Sequence, residues 1–448
     1  MEIYIGLLLS FLLIMYAVLN TIFIGYVLII CWIIFVLVSI KKGFKIKEIL
    51  KMSLTGGKKA YVVLKVFLLI GAVVGVWMAS GTIQTLVYYC IKYISPSLFV
   101  LFTFLICSIT SFLIGTSLGT VSIVGIPLMI IAQSGNMNLN IIAGAIISGA
   151  YFGDRCSPMS SSAALVASLT KTDLFINIKN MLYSSIVPFL LAIVFYYIIS
   201  MFHPLKIVNN NLSNEIIKTF RINLILLIPA AIILILSLCK IKIKTSISIS
   251  IIAAFVLAVF FQHYEVKEVF QYMIFGFNLN SNSPLANIIK GGGVVSMLRV
   301  CLVVYVSCSL AGIFEGIKMF DKLKHSLLKM SLKGSRLFGA TAMVSTLTAA
   351  FGCNQSIAMV MTNEIMKDCY DGADNYKFAL HLENSGILIS ALIPWNLAAL
   401  VPTTTLNVST TGYIPYAFYL YILPIVYFIY CKFLDKRITL KQCESQGL

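Results

Sequence analysis

Two carboxylates stand out because of where they lie. Asp154 falls in Gly153-Asp154-Arg155-Cys156-Ser157-Pro158, and Glu383 in Leu382-Glu383-Asn384-Ser385-Gly386, ahead of Ile393-Pro394-Trp395-Asn396. Both interrupt long apolar stretches. A charge at membrane depth costs several kcal/mol by most estimates, so one that persists is read as functional. A buried carboxylate can ligate a hard cation. It can also hold a proton, because burial penalises the ionised form. If one group does both, cation and proton exclude each other, which is the simplest basis for cation/proton exchange. A carboxylate in each half of the chain points to an ion-coupled transporter.

Neighbouring residues offer further oxygens. Ser157, Ser160, Ser161 and Ser162 follow Asp154 closely. Ser157 is read as a ligand or its support, and the other three as helix caps. Asn354 and Gln355 follow Gly352, Asn396 follows Pro394-Trp395, and Asn384 adjoins Glu383. Their carbonyl oxygens suit Na⁺ or a polar substrate. Thr116, Thr120 and Thr403 to Thr405 can add more, although a single Thr more often serves the backbone. His381 is a candidate proton carrier, or simply a hydrogen-bonded residue beside a helix. The structural alternative is that Asp154 and Arg155 pair with each other or with neighbours at a helix end. Adjacent residues do not face each other on a helix, so mutual pairing needs a break, which Pro158 makes reasonable.

The elements that must position these residues are membrane helices. The 448-residue chain is 60% hydrophobic and 11% charged, with mean hydropathy +0.97. A soluble domain carries about 25% charged residues. Apolar runs such as Ile3 to Leu19, Ile22 to Ile40, Val62 to Met78, Met181 to Met201 and Ile222 to Leu238 approach the ~20 residues that cross a bilayer. The expected fold is an all-α polytopic membrane protein of roughly ten to twelve spans.

The net charge of +17 does not indicate nucleic acid. The basic residues gather in segments between apolar runs: Lys41 to Lys59, Lys240 to Lys244, Lys318 to Arg336 and Lys432 to Lys441. That is the pattern of cytoplasmic loops, with anionic lipid headgroups as partners. It places the N-terminus in the cytoplasm. The first apolar run is read as a retained helix. The eleven cysteines have no C-x-x-C pair, so neither a disulfide framework nor a zinc site is expected. No Walker A or H-E-x-x-H sequence is present, which argues against ATP as energy source and against an enzyme. No cofactor is expected.

Helices are expected near 62–90, 98–115, 119–133, 139–152, 181–201, 222–239, 245–262 and 294–314. Residues 203–220, with Asn209 to Asn211, read as a polar loop, and 278–293, with Pro284, as a loop or re-entrant turn. Glu364, Asp368, Asp371 and Asp374 read as a solvated connection. Two stretches break the pattern: Gly115-Thr116-Ser117-Leu118-Gly119-Thr120, and Thr346 to Gln355 with Gly352. Glu383 follows Asn354 by 383 − 354 = 29 residues, and Asp154 follows Thr120 by 154 − 120 = 34. Each half (1–240 and 241–448) therefore holds a polar break, then a carboxylate, then a Pro. Interrupted segments at corresponding positions point to a transport site between repeats.

These residues carry a resemblance. Gly149 to Ser160 (GAYFGDRCSPMS) resembles the G-A-x-F-G-D-(K/R)-x-S-P-x-S motif of the NhaC-type Na⁺/H⁺ antiporters. Leu382 to Gly386 with Leu392 to Asn396 resembles that family's L-E-D-S-G…L-I-P-W-N. Tyr413-Ile414-Pro415-Tyr416-Ala417 and the Gly-Thr repeats at 115–120 are similar to others of its motifs. The resemblance implies a secondary transporter with inverted repeats, broken helices and re-entrant hairpins, working by elevator-like alternating access in the bacterial cytoplasmic membrane. A homodimer is compatible with it. It implies Na⁺ and H⁺ as transported ions, with Na⁺ at Asp154 and Glu383 and oxygens from Thr120, Ser157, Asn354, Asn384 and Asn396. Some members exchange organic acids or amino acids. Two family carboxylates are neutral here, as Ser161 and Asn384. That lowers the charge available to a cation and lets Arg155 balance an organic anion.

Overall fold

The structure, a computed structural model, describes residues 2–445 except 21, 94, 206–215, 240, 242, 280–289, 320, 331 and 371–374. Asn209 to Asn211, Pro284, Asp371 and Asp374 thus lie outside the described residues. The chain is an all-α polytopic membrane protein. A lipid-embedded chain must satisfy its backbone polar groups internally, and helices do so within one segment. Six described segments are long and apolar enough to cross: Ile24–Lys41, Pro96–Ile114, Ser117–Ser134, Leu174–Phe202, Val294–Gly316 and Phe418–Asp435. Leu64–Ser80 and Thr82–Cys90 form a seventh if read as one span bent by 71°. Four shorter apolar helices, Ile5–Val18, Ser161–Thr170, Leu224–Leu236 and Lys244–Phe260, must be counted as well to approach ten to twelve. The strand pairing that is described joins Phe277–Asn278 to Lys290–Gly291, antiparallel.

The basic stretch Lys41 to Lys59 is mostly helix rather than loop. Helix Ile46–Ser80 runs for 35 residues, about 52 Å at 1.5 Å per residue. That exceeds a ~30 Å hydrocarbon core. Its start is fixed by Glu48, whose Oε2 accepts from the Lys45 backbone N–H at 3.0 Å. Charge alone suggested a loop, but Lys and Glu are also good helix formers.

Two segments share an order of breaks. In the first, helix Phe99–Ile114 ends at Gly115 with φ 72°, and Thr116 caps a restarted helix by accepting from the Gly119 N–H at 3.4 Å. That helix passes through a π turn, Val121–Gly125, and ends at Ser134. Helix Leu139–Cys156 follows, and Ser160 then caps Ser161–Thr170. In the second, helix Gly334–Gly352 ends at Cys353 with φ 50°, and Asn354 caps Gln355–Met366. Helix Asn375–Leu382 continues into a π turn, Glu383–Ile387, and Asn396 caps Leu397–Thr405. π turns inside helices occur frequently at functional sites.

Small residues bring the first segment together. A Cβ on Gly149 would stand 2.5 Å from the Phe104 carbonyl oxygen, and one on Gly153 2.4 Å from the Phe112 nitrogen. The Leu139–Cys156 helix therefore lies almost backbone to backbone on Phe99–Ile114, which carries Asp154 up to the first break.

Candidate functional site

Asp154 sits in the last turn of its helix and is 7% exposed. Ser117, the first residue of the restarted helix, donates its hydroxyl to Oδ2 at 2.9 Å. Ser160, the cap of the next helix, donates to Oδ1 at 2.9 Å. The two breaks of this half touch each other: a Cβ on Gly115 would stand 2.5 Å from the Met159 carbonyl carbon. Asp154 is thus held by neutral hydroxyls, with the Ser162 hydroxyl 2.8 Å beyond that of Ser160. Such hard oxygens can support a carboxylate or share a hard cation with it.

Arg155 points elsewhere and is fully buried. Its Nη1 donates to Ser185 at 2.6 Å and to Tyr419 at 3.1 Å, and its Nη2 to Ser184 at 3.1 Å and to Asn384 Oδ1. The helix continues through both residues and breaks only at Ser157. Asp154 and Arg155 therefore do not pair with each other. Arg155 instead ties the first half to the π turn of the second.

Glu383 opens that π turn and is fully buried. Neither of its carboxyl oxygens accepts a hydrogen bond from a described residue, and Asn384 Nδ2 and Arg155 Nε are likewise unpartnered. Buried polar atoms of this kind call for an explanation. Here they cluster around one guanidinium, and Glu383 interacts electrostatically with both Arg155 and Asp154.

The other sequence candidates are placed as follows. Ser157 is buried, and its hydroxyl accepts from the Met159 N–H at 3.1 Å rather than touching Asp154. Thr120 is buried and bonds the Thr116 carbonyl at 3.0 Å. Asn354 spends its carbonyl oxygen on the Ser356 N–H at 2.8 Å and the Ile357 N–H at 3.4 Å. Asn396 accepts from the Ala398 N–H at 3.0 Å and donates to the Ala349 carbonyl at 2.7 Å. The Leu397 N–H donates to the Cys353 carbonyl at 2.9 Å, so the breaks of the second half also meet. His381 is buried, its Nδ1 2.6 Å from the Tyr370 hydroxyl. The halves are joined again by Tyr151, whose hydroxyl donates to the Ala398 carbonyl at 2.8 Å.

Sequence reading gave Ser160 a capping role alone and did not single out Ser117. The cap is real, because Ser160 accepts from the Ala163 N–H at 3.2 Å, but the same hydroxyl serves Asp154. The Gly115-Thr116 break next door was the available signal for Ser117.

A cavity of about 690 Å³ reaches the second half's break. Its wall includes Asn354, Ser356 and Ile357, with Glu315, Lys318 and Glu364 toward the basic segment.

Broken helices that carry buried carboxylates to their breaks, in a multi-pass membrane chain, define a secondary transporter. The sequence profile of the Na⁺/H⁺ antiporter family matches residues 149–433. The chain belongs to that family. It is 29% identical over 396 residues to the malate-2H⁺/Na⁺-lactate antiporter of Bacillus subtilis strain 168, covering 87% of this chain and 85% of that one. It is 28% identical over 367 residues to the Na⁺/H⁺ antiporter NhaC of Alkalihalophilus pseudofirmus, covering 80% and 78%. A further relative is the arginine/ornithine antiporter ArcD of Halobacterium salinarum, 24% identical over 354 residues, covering 76% and 72%.

Proposed function

We propose that this protein exchanges Na⁺ for H⁺ across the bacterial cytoplasmic membrane, with Asp154 as the group that holds either ion. The observation that carries this is the environment of Asp154. A buried carboxylate at the meeting of two helix breaks receives two hydroxyl hydrogen bonds and, among the described residues, no ammonium or guanidinium hydrogen bond. With a proton on it, the site is neutral and both serines can stay. With Na⁺, the same hydroxyls turn their oxygens toward the ion. Ser117 and Ser160 join the ligand candidates, and Glu383 is the second charge of the site. Asn354, Asn384, Asn396, Ser157 and Thr120 support the breaks around it. The segments 99–170 and 334–405 act as the cores of two inverted repeats in the halves 1–240 and 241–448.

The test uses purified protein in liposomes with a pH-sensitive dye inside and a Na⁺ step outside. Wild type gives a saturable pH change, and Asp154→Asn gives none while remaining folded. Wild-type exchange in that variant sinks the assignment.

A second reading, exchange of an organic anion or amino acid, is favoured by Arg155. Its bonded partners are neutral oxygens and the Cys156 sulfur, so its charge is available to a carboxylate. Malate- or lactate-dependent uptake by the same liposomes, without Na⁺-driven proton movement, would select it.

A further inference from the structure

The buried charges can be counted. Among the described residues, the Asp, Glu, Lys, Arg and His side chains that are buried are Asp154, Arg155, His381 and Glu383. Arginine keeps its proton in proteins, so Arg155 is a permanent positive charge. His381 is packed against the rings of Phe338, Tyr370 and Tyr427 and bonded to the Tyr370 hydroxyl. An imidazolium in that setting would face no bonded acid, and His381 is counted as neutral. Two ionised carboxylates against one guanidinium leave the site at minus one.

We infer that Arg155 is the fixed counter-charge of this site and limits its cargo to one positive charge, so that each cycle exchanges one Na⁺ for one H⁺ and moves no net charge. The inference rests on the Na⁺/H⁺ reading above. One cation or one proton brings the buried core to zero. A second would take it to plus one, and none leaves it at minus one. Either imbalance must be carried through a low-dielectric region, where an uncompensated buried charge is strongly unfavourable. The empty carrier is held back for the same reason, which keeps exchange tight.

Asn384 keeps this count. Its carbonyl oxygen accepts from Arg155, so it holds the guanidinium in place without neutralising it. A carboxylate at this position would pair directly with Arg155. Asp154 and Glu383 would then both be uncompensated, and the site would hold two positive charges.

The test is the null point of exchange in liposomes clamped at zero membrane potential. With a tenfold Na⁺ gradient, one-for-one exchange stops at an opposing gradient of about one pH unit, and two protons per Na⁺ stop it at about half a unit. Wild type should stop at about one unit and respond little to an imposed potential. A wild-type null point near half a unit overturns the inference and leaves the Na⁺/H⁺ reading standing. No Na⁺-driven proton movement at all would instead defeat that reading. Asn384→Asp should make the Na⁺ dependence of exchange cooperative, with a Hill coefficient rising from about one toward two, and an unchanged coefficient overturns the role of Arg155. Should Asn384→Asp fail to fold, Arg155→Lys preserves the charge and must keep the wild-type null point. A shifted one overturns the inference.

Discussion

Ser117 and Asp154 lie 37 residues apart in sequence, and their side chains meet at 2.9 Å. Ser160 completes the grip from the other side at 2.9 Å. Hydrogen bonds to charged groups are worth about 1.5–3 kcal/mol, and 1.4 kcal/mol corresponds to about tenfold in affinity. If both hydroxyls also face Na⁺, Ser117→Ala and Ser160→Ala should each raise the half-saturating Na⁺ concentration about tenfold. Initial proton flux against Na⁺ concentration measures it. An unchanged value in both variants would remove these serines from the site.

The close approach that delivers Asp154 depends on Gly153. A Cβ there would meet the Phe112 nitrogen at 2.4 Å and the Ser108 carbonyl oxygen at 2.5 Å, both backbone atoms. Overpacking of this kind costs about 1–3 kcal/mol, so Gly153→Ala should lower the melting temperature in detergent. Gly339 is the control. The nearest atom to a Cβ there is at the edge of the Phe428 ring, 3.3 Å away, and alanine favours a helix interior by roughly 0.5–1 kcal/mol. Gly339→Ala should therefore be neutral or stabilising. Equal losses in both variants would refute the packing argument.

Away from the apolar spanning segments, Lys324 and Asp368 form an ion pair at 2.7 Å. The hydrogen bond from Lys324 holds the Asp368 carboxyl below its ordinary range. A lowered value means that the contribution is fully present above the unfolded carboxylate pKa of about 3.9. It is lost as pH falls through the folded value. The side chains are 29% and 36% exposed, so screening keeps the pair under about 1 kcal/mol. Asp368→Asn should lower the melting temperature slightly at neutral pH and not at all once the carboxyl is protonated. A large loss persisting in strong acid or high salt would mean that Asp368 has another role.

Much of this was legible in the residues, for physical reasons. Apolar runs must be helices in lipid, so the spans could be read directly. Pro158 marked the break after Asp154, and the helix does end at Cys156, as expected from the restriction proline places on its predecessor. Gly115 and the Gly352-Cys353-Asn354 run marked two more breaks. The partners of Asp154 were not legible. Which of Ser157, Ser160, Ser161 and Ser162 turns back depends on the path of the chain after the break. The Ser117 contact is a tertiary one that no local spacing encodes. Nor did the sequence show that Arg155 reaches across to Asn384, since adjacent charges invite a local pairing that the continuing helix forbids.

The cavity at the second break gives the last prediction. Ser356 is exposed on its wall, the second residue of the helix that Asn354 caps, and the lysines Lys318, Lys324 and Lys367 border it. Basic segments of this kind mark the cytoplasmic face, so the cavity should open inward. Cys308 lines the same space and Cys239 is exposed elsewhere, so all the native cysteines must first be replaced by serine. In that background, Ser356→Cys should react with a membrane-impermeant maleimide in inside-out vesicles and stay unlabelled in right-side-out ones. Labelling only in right-side-out vesicles would reverse the orientation. It would also mean that the break at Cys353-Asn354 faces the outside, so that Na⁺ reaches this half of the site from the opposite compartment.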